Sequence, residues 1–306
     1  MSSVFEIPIC VPDLTDQIVK DNPTPVAAGD YADIYKCSWN SPSESSPVAV
    51  QVVRVRHDSE FLPKKGDELR QEIKVWGRLQ NEHILPLLGI VHGDDPLPGL
   101  VSPWINNGSL IELLKSHHET LTRHERFRLL QDIASALQYL HAIAVVHGNL
   151  SGHNILVDSS LRAFVKGSGL STMLDEIAES ESYEARQGDV PWRAPELMKG
   201  NSSGLPTSQS DVWSFGCNMI HVLSGQEPPE IPAATAAAHP YQSRVPPFPQ
   251  NVSKEDLSFL QQCFSIRPAD RPSADQILAF VREECLRCMP EVPQTAEATE
   301  FSQWHS

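Results

Sequence analysis

The feature that most constrains this chain is a change of hydrophobic period part-way along it. Residues 18–56 alternate apolar and polar positions and are broken by turn-formers at Asp21-Asn22-Pro23 and from Ser41 to Pro47. Strand side chains alternate between two faces, so this pattern reads as successive antiparallel strands. The run Val48-Ala49-Val50-Gln51-Val52-Val53 is rich in β-branched residues, which suit a pleated surface. A helical segment is expected from about Asp67 to Leu79, and Ile84 to Val91 reads as strand again. Beyond about residue 105 the helical period takes over. Phe127, Leu130, Ala134, Leu137 and His141 fall on one face, behind a capping box at Thr122-x-x-Glu125. Further helices are expected at about 211–223, 254–264 and 274–287, the last opened by Ser273-x-x-Gln276.

This order implies an α+β fold: a small antiparallel β lobe with one main helix, then a larger, mostly α-helical lobe. The Pro- and Ala-rich stretch from Gln226 to Pro249 reads as a loop, and the residues after Pro290 as a polar tail. With 306 residues, 40 % of them hydrophobic, the chain can bury a sizeable core. Lys and Arg total 24 against 39 Asp and Glu, a net charge of −15 that repels nucleic-acid phosphates and anionic lipid headgroups. Protein partners are therefore expected, with no nucleic acid and no membrane. There is no run of about 18 apolar residues, and the start from Met1 to Glu6 has no basic stretch followed by an apolar one. Six scattered cysteines fit a reducing compartment, so a cytoplasmic location is expected. Cys285 and Cys288 form a lone C-x-x-C without the second pair or nearby histidine of a zinc site, and no metal is expected there.

A series of short motifs then narrows the reading. Val26 to Lys36 sits where a Gly-rich loop would stand, followed by Val48-Ala49-Val50-Gln51 and by His147-Gly148-Asn149-Leu150-Ser151-Gly152-His153-Asn154. Gly167-Ser168-Gly169, Ala194-Pro195-Glu196, the run from Asp211 to Gly216 and Arg271-Pro272 complete the order. In this order and spacing the chain resembles the protein kinase superfamily, over about residues 18–287. Wording such as Ile84-Leu85-Pro86-Leu87-Leu88-Gly89 is most similar to the tyrosine-kinase-like serine/threonine branch, in the style of its fungal members. The resemblance implies a small lobe over about 18–102, a hinge at 103–105 and a helical lobe over about 106–287. Residues 1–17 are then an N-terminal extension and 288–306 a tail.

Phosphoryl transfer requires a lysine on the phosphates, carboxylate-held magnesium and a carboxylate to take the hydroxyl proton. By the resemblance these positions are Gln51, Gly167 and Asn149. A neutral amide at 51 cannot neutralise phosphate charge or pair with the carboxylate expected from Glu72. Asn149 cannot act as a base near neutral pH. Glycine at 167 leaves Asn154 as the only side-chain metal ligand of the set, and one neutral amide is a poor site for a hard divalent cation. Ser151 replaces a lysine, Asp189 stands where the substrate loop has threonine, and Ala27 and Ala32 flank the one surviving loop glycine, Gly29. Lys36 and Lys166 are the candidates for a substitute cation.

The resemblance also implies what survives. Glu196 and Arg271 correspond to a buried ion pair, and Asp211 and His147 to residues that hold the catalytic-loop backbone. The adenine end of the cleft is complete in Ile34, Ala49, Ser102, Pro103, Ile105 and Leu156, with Gly29, Glu72 and Asn154 as remnants on the phosphate side. The reading is therefore a pseudokinase, a scaffold or allosteric partner of proteins such as an active kinase. It has no cofactor beyond a metal-independent ATP or adenine-like ligand. The alternative is a weak or atypical serine/threonine kinase. One structural expectation goes further: with Ser168 in place of phenylalanine the apolar column between the lobes is incomplete. The first helix should then open or rotate, or Trp76 should fill part of the void. The acidic segment from Gly167 to about Gly188 is expected to be mobile and partner-facing.

Overall fold

The computed structural model describes residues 11–28, 32–41, 44–55, 62–167, 190–197, 205–228, 248 and 252–290. Its first lobe is an antiparallel sheet of strands β1 (Ile18–Lys20), β2 (Ala27–Ala28), β3 (Ala32–Asn40), β4 (Ser45–Val53), β5 (Gly89–Val91) and β6 (Gly99–Pro103). Their spatial order is β1-β3-β4-β6-β5, with β2 also pairing with β3. Alternation explains the sheet: Val48, Val50 and Val52 point to one face, where they pack with Leu14, Cys37 and Val101. The turn before β4 closes through a Ser41 N–H to Glu44 O bond of 3.0 Å.

Helix α1 spans Leu62–Trp76 and so begins earlier than the expected Asp67. Pro63 lies in its first turn, where an N–H would have no helical acceptor, so proline does not delay the start. The strand expected over Ile84–Val91 is only Gly89–Val91. Pro86 has no N–H for a ladder, and the residues before it turn to another strand: Ile84 bridges Val165, and Leu85 N–H donates to Val165 O at 2.8 Å. Ahead of β1, Val11 and Leu14 are buried and residues 11–17 lie against the lobe.

The second lobe holds α2 (Leu110–His117), α3 (Arg123–Ala142), the hairpin β7 (Ile155–Val157) and β8 (Ala163–Val165), α4 (Ser208–Ser224), α5 (Lys254–Cys263) and α6 (Ala274–Arg287). The two expected capping boxes are present at Thr122/Glu125 and Ser273/Gln276, and Ser109/Glu112, Thr207/Ser210 and Ser253/Asp256 add three more. Helices α3 and α6 run antiparallel. Gln138 Nε2 donates to Asp275 Oδ1 at 2.8 Å near one end, and His124 Nδ1 lies 3.1 Å from Cys285 O near the other. Arg123 joins them to α5 through Asp256 at 2.9 Å and Glu284 at 3.0 Å. Every residue of α4 from Ser210 to Leu223 is buried, which makes it the axis of the lobe. One apolar cluster runs from Val11 and α1 through α3 and α4 to α6, so the lobes share a core. Among the described residues no helix is long and apolar enough to cross a membrane.

Candidate functional site

The sheet register puts the expected cleft residues on a common face. Ile34 is directly opposite Gln51, Lys36 opposite Ala49, and Ala49 in turn opposite Ser102. Directly opposed residues share a face, and this one is turned away from the Val48–Val50–Val52 cluster. From Pro103 at the end of β6 the chain passes Ile105 and is tied to β7, with Asn107 N–H on Val157 O at 3.2 Å and Val157 N–H on Gly108 O at 3.0 Å. Ile105 and Leu156 are both half-buried against the shared core. Gly29 lies outside the described residues, as do Ser168, Asp189 and the whole acidic segment after Gly167.

Of the two lysines considered as substitutes, Lys36 places its Nζ 5.0 Å from the centre of the Trp104 ring. Its charge is thereby held at the hinge end of the face, two residues along β3 from the partner of Gln51. Lys166 is bound through its backbone: its N–H donates to Asn154 O at 2.9 Å, and its carbonyl lies 3.2 Å from His147 Nε2. A carbonyl can only accept, so Nε2 carries the proton of His147, and Nδ1 is free to accept the Asn149 N–H at 3.2 Å.

Asp211, near the start of α4, fixes the loop that carries Asn149. Its carboxylate accepts the His147 N–H at 2.8 Å, the Gly148 N–H at 2.8 Å and the His141 Nε2–H at 2.9 Å. Asn218 Nδ2, two turns further along α4, donates to Leu150 O at 2.7 Å. Asn154 turns its amide nitrogen back to Asn149 O at 3.0 Å, which leaves its side-chain carbonyl oxygen pointing away from that bond as an acceptor. The loop is thus rigidly placed, but positions 51, 149 and 167 bring no charge to it.

Position 167 is closed by its neighbour. A Cβ built on buried Gly167 would lie 2.5 Å from Cγ and Cδ2 of Trp76, well inside any van der Waals contact. The indole is itself held, since Trp76 is 3 % exposed and its Nε1–H donates to Leu85 O at 2.6 Å. Leu69, Glu72, Ile73 and Trp76 recur at helical spacing as the buried face of α1, with Glu72 at 4 % exposure. The expected opening or rotation of this helix is therefore not what the structure shows. Helix α1 keeps Glu72 inside, and the tryptophan takes up space beside residue 167, one position before the serine for which a void was expected.

Away from the cleft, Arg271 and Glu196 form a two-pronged ion pair, Nη1–Oε1 at 2.6 Å and Nη2–Oε2 at 2.9 Å. The arginine also donates to Gln209 O at 2.8 Å and Ser265 O at 3.1 Å, and it lies 5.1 Å from the centre of the Trp213 ring. Towards the other end of α4, His221 is buried with its ring 6.2 Å from that of Trp192. Burial pushes its pKa from 6.5 down to about 4, and the neighbouring His118 and His153 act in the same direction.

Comparison with known proteins adds the family. Residues 22–281 match the family described as protein tyrosine and serine/threonine kinase. The chain belongs to that kinase family. It is 30 % identical over 216 residues to the mitogen-activated protein kinase kinase kinase mkh1 of Cytospora mali, which covers 69 % of this chain and 12 % of that protein. It is 30 % identical over 260 residues to the mitogen-activated protein kinase kinase kinase YODA of Arabidopsis thaliana, covering 83 % and 28 %. With the tyrosine-protein kinase csk-1 of Caenorhabditis elegans it shares 28 % over 258 residues, covering 83 % and 45 %. The chain thus spans well under two thirds of the length of these relatives. Within the kinase family's two-lobed fold, sequence reasoning missed the Lys36–Trp104 contact and the docking of residues 11–17. The only sequence signal for the latter is the spaced apolar pair Val11 and Leu14.

Proposed function

We propose that this chain is a non-catalytic member of the kinase family that works through protein contacts, as a scaffold or allosteric partner of an active kinase in a signalling cascade. The observation that carries this reading is the indole of Trp76 against Gly167. The position that would supply a metal-binding carboxylate has no side chain and, while Trp76 stays, no room for one. Gln51 and Asn149 support it from the other two sides of the reaction, since neither residue neutralises phosphate or takes a proton. The kinase kinase kinases among the relatives make a signalling cascade the natural setting, and the −15 charge favours protein partners over nucleic acid or membrane surfaces. An intracellular, cytoplasmic location goes with this role. The half-buried face of Ile34, Ala49, Ile105 and Leu156 suits a flat, adenine-like ligand bound without metal.

The test is phosphate transfer from radiolabelled ATP by the purified chain, with magnesium and with manganese. Background-level incorporation is expected, and Gln51→Lys alone should not raise it. Turnover that disappears in an Asn154→Ala variant would overturn the reading in favour of a weak kinase.

A further inference from the structure

The segment ahead of the first strand is seated more firmly than an extension needs to be. It lies alongside β5, the last strand in the sheet order, as a parallel bridge of Asp13 with Ile90, with Leu14 N–H on Ile90 O at 2.8 Å and Ile90 N–H on Pro12 O at 3.0 Å. Its side chains continue the attachment: Thr15 Oγ1 accepts the His92 N–H at 2.9 Å, and Trp39 Nε1–H donates to Gln17 Oε1 at 3.1 Å. Two glycines make seats for its apolar residues. A Cβ at Gly89 would come 2.6 Å from Leu14 Cδ1, and one at Gly77 would come 2.7 Å from Val11 Cγ2. Gly77 directly follows α1 and closes it, its N–H on Ile73 O at 2.9 Å. Val11 therefore rests on the end of the helix next to Trp76. Leu14 packs instead with Val48, Val50 and Val52, so one short segment joins the two apolar clusters of the molecule.

We propose that Val11–Gln17 is a strap that sets the position of α1: seated, it keeps Trp76 over Gly167 and Glu72 inside, and withdrawn, it lets the helix swing out and the cleft open. The line of contact is continuous, from Val11 to Gly77, along one residue to Trp76, and from the indole to Gly167. In this chain Gln51 cannot hold Glu72 by charge, and contacts at the C-terminal end of α1 help to place the helix. The strap supplies one side of that hold and the Trp76–Leu85 hydrogen bond the other. This arrangement operates whether or not the cleft transfers phosphate. A partner that captured the strap would change the shape of the cleft without entering it.

Amide hydrogen exchange on the whole chain tests this, comparing the parent with Val11→Asp and with the milder Leu14→Ala. The aspartate puts a charge on the end of α1, and the alanine empties the Gly89 seat. Exchange over 62–76 is expected to rise by about tenfold or more while exchange over 274–287, in the far lobe, stays within about twofold. Unchanged exchange in 62–76, or an equal rise in both segments, would overturn the strap. If Val11→Asp does not fold, the Leu14→Ala comparison decides by the same two criteria.

Discussion

Gly167 shows how much a single missing side chain can settle. Because a Cβ there would lie 2.5 Å from the Trp76 ring, Gly167→Ala should destabilise the protein by about 1–3 kcal/mol, read from the urea midpoint at constant slope. The same change in a Trp76→Ala background should cost much less, because the clash is gone. Additive effects in that double-mutant cycle would contradict the packing described. Gly167→Asp should likewise fail to create a magnesium dependence, so ATP with magnesium should shift the melting temperature no more than ATP alone. A shift that required the metal would count against this. At this scale the sequence was informative about chemistry and poor about packing. The types at 51, 149 and 167 could be read from motif order alone. Whether position 167 was vacant or filled depended on a helix face a hundred residues away, and no local pattern carries that. The same holds for Lys36, whose contact with Trp104 arises only when β3, β4 and β6 pair.

Among the elements, α4 bears most of the constraints. Asp211 and Asn218 at two levels of this helix hold the loop from His147 to Leu150, and the Arg271–Glu196 pair anchors against its first turn through Gln209 O. Arg271→Ala should lower stability by about 3–5 kcal/mol in chemical denaturation, since it strands a carboxylate and two carbonyls together. Melting like the parent would mean that the pair contributes nothing. His221 adds a pH dependence with a definite sign. Its folded pKa of about 4 lies below the ordinary 6.5, so the unfolded chain binds the extra proton between these values. The stability from keeping it neutral is complete above about pH 6.5, is lost as pH falls, and is gone near pH 4, a change of about 3 kcal/mol. His221 Nδ1 is buried without a hydrogen-bond partner among the described residues, so His221→Leu is a tolerable probe. That variant should flatten the stability-against-pH curve between pH 6.5 and 4, and an unchanged slope would place the proton elsewhere. The starts of α3 and α6 were legible because their capping boxes announce the first turn. The strand from Ile84 was not, because its apolar residues serve two different partners, β8 before Pro86 and β6 after it.

For the whole molecule, the division into a β lobe and a helical lobe followed from the change of hydrophobic period, and the motif order supplied the family. What neither conveyed is how the lobes are joined. The apolar cluster that contains Trp76, Leu85 and Val165 extends without a break into α3 and α4, so the interface between lobes is core in character. Sequence periodicity reports which face of an element is apolar and is silent about which distant face covers it. One consequence is a cooperative unfolding transition: fluorescence and far-UV circular dichroism should give coincident midpoints in urea. Separated transitions would show the lobes to be independent units.

The contact between Trp76 and Gly167 also ties the fate of each residue to the other. While the indole keeps its present place, position 167 has no space for any side chain. Change is opposed from both ends. Adding a side chain at 167 meets the ring, and shortening the ring first empties a buried site at a cost of about 3–5 kcal/mol. The pair therefore acts as a ratchet, in which any path to a side chain at 167 crosses less stable proteins whichever residue moves first.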